Sequence, residues 1–147
     1  MGSSFEFDDF IEFSQNLLEN KKNVDDNGYQ SLYRTIISRV YYSAFHHTKY
    51  WLEINHGLKT REFNLETGKI QNKDGLSEHV QVYRELRRIA KRQKNLKYKF
   101  RNASSKLEHL FDQRIEADYD ESSNFDEIEV IDAIEDAIYI INLLPFN

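Results

Sequence analysis

Along five stretches of the chain, apolar residues return every three or four positions, and polar, turn-forming residues separate the stretches. That spacing marks one face of an α-helix. The first helix is predicted over residues 3–20, with Phe7, Phe10, Ile11, Leu17 and Leu18 on its inner side and Ser3 with Glu6 as a capping box. Asn20 to Asn27 is a polar connection. A second capping box, Asn27 with Gln30, opens a helix that continues to His56, where Gly57 supplies the stop. Leu32, Tyr33, Ile36, Ile37, Val40, Tyr41, Ala44, Phe45, Trp51, Leu52 and Ile54 cover most of its circumference. Such a helix is buried on more than one side, so it is the central element or it faces a second subunit. Leu58 to Gly75 is weakly periodic and reads as a long, mobile loop. A third helix runs from Leu76 to about Gln93, with Val80, Tyr83, Leu86, Ile89 and Ala90 inward. A fourth runs from about Leu96 to Ala117, with Leu107, Leu110, Phe111 and Ile115 inward. Residues 118–124 form a turn-rich link. Asp126 with Glu129 then opens a fifth helix that carries Ile128, Ile131, Ile134, Ile138, Ile141 and Leu144.

This pattern predicts an all-α, up-down bundle of four to five helices in a single domain, residues 1–147. Composition agrees: β-branched alternation is scarce, and Pro145, the sole proline, lies near the end. The absence of cysteine excludes disulfides and thiolate metal sites. No apolar run approaches the roughly 18 residues of a membrane span. The first ten residues lack the basic and apolar regions of a secretion signal, and Glu6 stands where a myristoylation motif needs Ser or Thr. The expectation is a soluble, cytoplasmic protein that does not engage membranes.

Charge changes the picture more. The net charge is −5, yet nine Lys or Arg against one Glu fall between Arg84 and Arg101. Ten acids fall between Glu116 and Asp136, and no basic residue follows Arg114. A face presenting Arg84, Arg87, Arg88 and Lys91 is a candidate for holding an RNA backbone. The alternative is a solvated basic face that neutralises the acidic fifth helix.

The candidate chemistry lies in the second helix. At about 100° per residue, seven positions make nearly two turns, so Arg39 and His46 point the same way, roughly 10 Å apart along the axis. Ser43 lies between them on nearly the same line, and His47 is rotated by about 80° from Arg39. Tyr41, Tyr42 and Tyr50 are aromatics that stack on bases or fill a core or dimer interface. The remaining histidines show no metal-ligand spacing, and neither a metal nor another cofactor is expected.

Ser38-Arg39-Val40-Tyr41-Tyr42-Ser43-Ala44-Phe45-His46 resembles the HEPN domains, above all their small stand-alone prokaryotic branch. Gly75-Leu76-Ser77-Glu78-His79 and Ala117-Asp118-Tyr119-Asp120 extend the resemblance over nearly the whole chain. The resemblance implies a helical bundle that dimerises, with an arginine and a histidine four to six residues between them in a ribonuclease site. It also implies toxins or antiviral defence effectors, with an antitoxin or a nucleotidyltransferase as partner. Many catalytic members carry a polar residue directly after the arginine, where this chain has Val40.

Arg39 and His46 suit metal-independent RNA cleavage in chemical type. A histidine takes or gives a proton near neutrality. A guanidinium presents a planar, permanently charged fork to phosphate oxygens. The expected catalytic pair is therefore Arg39 and His46, with Ser43, Tyr42 and His47 positioning the substrate. Against this stands a plainer reading, in which both are satisfied core polars paired with Asp112, Asp118 or Asp120. The alternative function is a non-catalytic nucleotide-binding or interaction module.

Overall fold

The computed structural model describes the backbone over residues 2–20 and 26–146, and the side chains over 9–20 and 29–146. Five helices dominate: α1 (Gly2–Glu19), α2 (Asp26–His56), α3 (Glu78–Arg92), α4 (Lys97–Tyr119) and α5 (Glu127–Leu143). The all-α bundle expected from the pattern is what the chain forms. The capping boxes at Ser3/Glu6 and Asn27 fall on side chains outside the described residues.

Helix α2 is the axis of the bundle, packed on all four other helices. Ile36, Ile37, Val40, Ala44 and Leu52 lose all contact with solvent, as do Val82 and Leu86 of α3 and Leu107 and Leu110 of α4. Burying a leucine or isoleucine of this kind contributes about 1.5–3 kcal/mol. Buried hydroxyls are satisfied within their own helices: Ser14 donates to the Phe10 carbonyl at 2.7 Å and Thr48 to that of Ala44 at 2.7 Å.

Helix ends follow local chemistry. Gly57 ends α2 with φ +64°, a conformation that costs a residue with a Cβ about 1–2 kcal/mol. Ser77 caps α3 by accepting from Val80 N–H, and Asp126 caps α5 by accepting from Glu129 N–H at 2.7 Å. Gln30 does not act within its own helix alone. Its amide donates to the Phe125 carbonyl at 2.8 Å and accepts from the Phe125 N–H at 3.0 Å, which fixes the approach to α5.

Two expectations are corrected. The 58–75 stretch is not a structureless loop. It contains an antiparallel hairpin, β1 (Arg61–Asn64) and β2 (Lys69–Asn72), followed by a short 3-10 turn at Lys73–Gly75. The Asn64 carboxamide accepts from Glu66 and Thr67 N–H, and Gly68 adopts φ +69°, so the turn is locally determined. The second correction concerns α5. Its core face is Val130, Ala133, Ile134, Ala137 and Ile140, whereas Ile128 and Ile131 are exposed. The alanines allow α5 to lie close to its neighbours, and this turns the isoleucine run partly outward. Ile115 of α4 is likewise partly exposed rather than inward.

Candidate functional site

Between Thr35 and Lys49 the accessible residues of α2 trace one narrow strip: Thr35, Arg39 and Tyr42 are exposed, and Ser38, His46 and Lys49 are half-buried. Their spacing of three or four keeps them in line along the helix. Arg39 and His46 thus belong to the same strip, as the spacing predicts, and neither is sealed in the core.

Arg39 lines an open groove of about 600 Å³, together with Arg34, Thr35, Ser38 and Tyr42 of α2 and Ala117, Asp118 and Tyr119 at the end of α4. Its guanidinium lies 5.6 Å from the centre of the Phe10 ring. No carboxylate among the described residues pairs with it. The pairing of Arg39 with Asp112, Asp118 or Asp120 does not occur: Asp118 is held by Arg114 at 2.9 Å, and Asp120 accepts from the hydroxyls of Ser122 and Ser123. Those two bonds hold the Asp120 carboxyl below its ordinary range.

His46 stands one turn beyond Tyr42. The two rings stack with centroids 5.9 Å apart and planes 18° from parallel. Partial burial lowers the imidazole pKa, the Lys49 ammonium lowers it further, and the Glu78 carboxylate works in the opposite direction. The result is an imidazole held neutral at physiological pH, the form that can accept a proton.

Tyr42 joins these two parts. Its hydroxyl accepts from Arg114 Nη2 at 2.6 Å, and the Arg114 guanidinium lies 5.1 Å from its ring centre. Arg114 is in turn fixed by Asp118, one helical turn on in α4. Asp118, Arg114, Tyr42 and His46 therefore form a connected series across two helices. Nothing in the α2 pattern could reveal Arg114. Its i,i+4 spacing to Asp118 was the one readable signal.

Arg34 organises the far wall. Its guanidinium donates to the carbonyls of Glu116 (3.2 Å), Ala117 (2.9 Å), Asp120 (2.8 Å) and Ser123. The last turn of a helix leaves carbonyls without partners, and a cation there also meets the negative end of the helix dipole. One side chain thus fixes the Ala117-Asp118-Tyr119-Asp120 segment against α2.

Two expected assignments change. Ser43 is fully buried and donates to the Arg39 carbonyl at 2.9 Å, so its hydroxyl does not reach the groove. His47 is also buried, with Nε2 2.7 Å from the Leu144 carbonyl, and it ties α2 to the chain's end. Both lie just off the strip, on the side covered by neighbouring helices. Of the three tyrosines, only Tyr42 is exposed. Tyr41 is core, and Tyr50 packs on Phe146.

The basic face is a separate place. Arg84, Arg87, Arg88 and Lys91 lie on α3, and none of them lines the Arg39 groove. Arg87 pairs with Glu108 of α4 and Arg88 with Glu85 of its own helix, so neither neutralises α5. One ion pair that does reach α5 is Lys106–Asp136, at 2.8 Å.

His79 is a packing residue. Its ring stacks on Phe111 at 3.8 Å, and Nδ1 lies 3.2 Å from the Tyr41 hydroxyl. No group of three or more His, Asp or Glu among the described residues could hold a metal ion. No helix among them is long and apolar enough to cross a membrane. Comparison with protein-family models, with curated proteins and with solved structures finds no match to this chain.

Proposed function

We propose that this protein is a metal-independent endoribonuclease of HEPN type, acting as a homodimer. The observation that carries the reading is the exposed strip Arg39–Tyr42–His46. Arg39, with no carboxylate partner among the described residues, and Tyr42 line the groove, and the half-buried, neutral imidazole of His46 stands one turn beyond Tyr42 on the same strip.

In this reading the neutral His46 removes the proton from a ribose 2′-hydroxyl, and the 2′-oxygen attacks the adjacent phosphorus. Arg39 stabilises the negative charge that grows on the phosphoryl oxygens. The leaving 5′-oxygen needs a proton, which the imidazolium just formed on His46 returns, while a two-fold dimer sets the second copy's Arg39 beside the same phosphate. The products are a 2′,3′-cyclic phosphate and a 5′-hydroxyl. Tyr42, fixed by Arg114, stacks on a base beside the cleaved bond. A toxin or defence effector, restrained by an antitoxin, fits such an activity.

One observation favours the second reading, a non-catalytic nucleotide-binding or interaction module working with a partner such as a nucleotidyltransferase. Val40 is fully buried, so the position after the arginine adds no polar group to the groove.

Cleavage of a mixed-sequence RNA by purified protein in excess EDTA separates the two. The ribonuclease reading expects cleavage that Arg39→Ala and His46→Ala each abolish. Cleavage by His46→Ala at the wild-type rate, or a folded dimer that leaves RNA intact, moves the assignment to the second reading.

A further inference from the structure

About 25 Å along α2 from Arg39, beyond the helix end, a second concavity of about 430 Å³ opens between the base of the hairpin and α3. Its floor includes Leu58 and Leu76. Four cations line it: Arg88, which is paired with Glu85, and three from separate segments, Lys59 after the Gly57 turn, Lys73 at the 3-10 turn and Arg84 on α3.

The latter three stand out for their lack of partners. Nearby cations are compensated: Lys49 and Arg61 share Glu78, Arg87 has Glu108, and Arg88 has Glu85. Among the described residues, no carboxylate pairs with Lys59, Lys73 or Arg84. Two acids also line the concavity. Glu85 is taken by Arg88, and Asp74 offsets one charge of the three. A net positive cluster around a concavity repels itself and raises the local concentration of anions.

The frame is also fixed before any ligand arrives. The buried Gln81 amide donates to the carbonyls of Thr60 at 3.0 Å and Leu76 at 2.9 Å. Lys73 N–H donates to the Thr60 carbonyl at 2.9 Å. Both chain segments that carry the lysines are thereby tied to α3, so little ordering entropy remains to be lost on binding.

We propose that this concavity binds a small molecule bearing two or three linked phosphate groups. Lys59, Lys73 and Arg84 receive the phosphates, and the Leu58–Leu76 floor receives an apolar or aromatic remainder. The volume suits a ligand of that size. A single phosphate would leave part of the cluster uncompensated. The site is independent of the ribonuclease reading and of Arg39 and His46.

Isothermal titration calorimetry with sodium tripolyphosphate at low ionic strength tests it, with ATP as a second probe. One saturable site per chain is expected, and Arg84→Gln and Lys73→Gln should each weaken it about tenfold, the value of a lost charge-assisted contact. Lys91→Gln, which removes an equal charge from α3 outside the concavity, should change affinity less than about twofold. The Arg39→Ala and His46→Ala proteins should bind as wild type, which keeps this test separate from that of cleavage. Tighter binding of ATP than of tripolyphosphate would assign the floor to a base, and equal binding would assign the site to phosphates alone. The proposal is overturned if the folded protein shows no saturable binding up to about 1 mM tripolyphosphate, or if Lys91→Gln weakens binding as much as Arg84→Gln.

Discussion

His79 should make this protein sensitive to acid over a defined range. Its ring is 7% exposed and sits against Phe111, Tyr41 and Tyr83. The Tyr41 hydroxyl, kept protonated because burial pushes its pKa upward, donates to Nδ1 and fixes the neutral tautomer. Burial lowers the His79 pKa from 6.5 to about 4, against a smaller opposing pull from Asp112. The folded pKa of this base is depressed, so the unfolded chain takes up the proton first. The contribution to stability is complete above pH 6.5 and is lost as pH falls toward 4. That interval corresponds to about 3 kcal/mol, a large share of the 5–15 kcal/mol typical of a domain. Urea unfolding from pH 7.5 down to pH 4, on wild type and His79→Phe, measures it. Phenylalanine keeps the stacking on Phe111 but leaves the Tyr41 hydroxyl without its acceptor, a cost of about 1–3 kcal/mol at every pH. The variant should therefore start lower and fall less, with wild type losing about 3 kcal/mol more across the range. Carboxylates and His46 titrate in both proteins and cancel in the difference. Parallel curves would refute the reasoning, because they would mean that His79 takes up its proton alike in the folded and the unfolded chain.

Two further outcomes follow from the groove walls. Arg34→Ala removes one guanidinium from four carbonyls and should destabilise the fold by about 2–3 kcal/mol, seen as a lower urea midpoint with an unchanged slope; no change would mean that water replaces these bonds without cost. Under the proposed ribonuclease reading, Arg114→Met should release the Tyr42 hydroxyl and lower RNA cleavage about tenfold, and Tyr42→Phe should reproduce that drop; full activity in both would remove Tyr42 from the site.

Features governed within a single helical turn were legible from the sequence. The five helices, the Gly57 stop and the Asp126 cap depend on residues no more than four apart, and the structure has each of them. Local rules also settled that Arg39 and His46 share a strip, because helical rotation is the same wherever the helix lies. They could not settle which side of that strip is covered. Only the packing of α1, α3, α4 and α5 around α2 decided that Tyr42 is open while Ser43, 100° further round, is sealed. The groove walls were hidden for a related reason. Arg34 reaches carbonyls more than eighty residues away, and Arg114 meets Tyr42 across 72 residues. The hairpin was missed because its four-residue strands are too short for alternation to register, and its Phe63–Ile70 pair faces solvent rather than the core. Periodicity reports how residues lie relative to one another on an element. Which of them meet a ligand is decided by what else packs there, and that depends on contacts between residues distant in the chain.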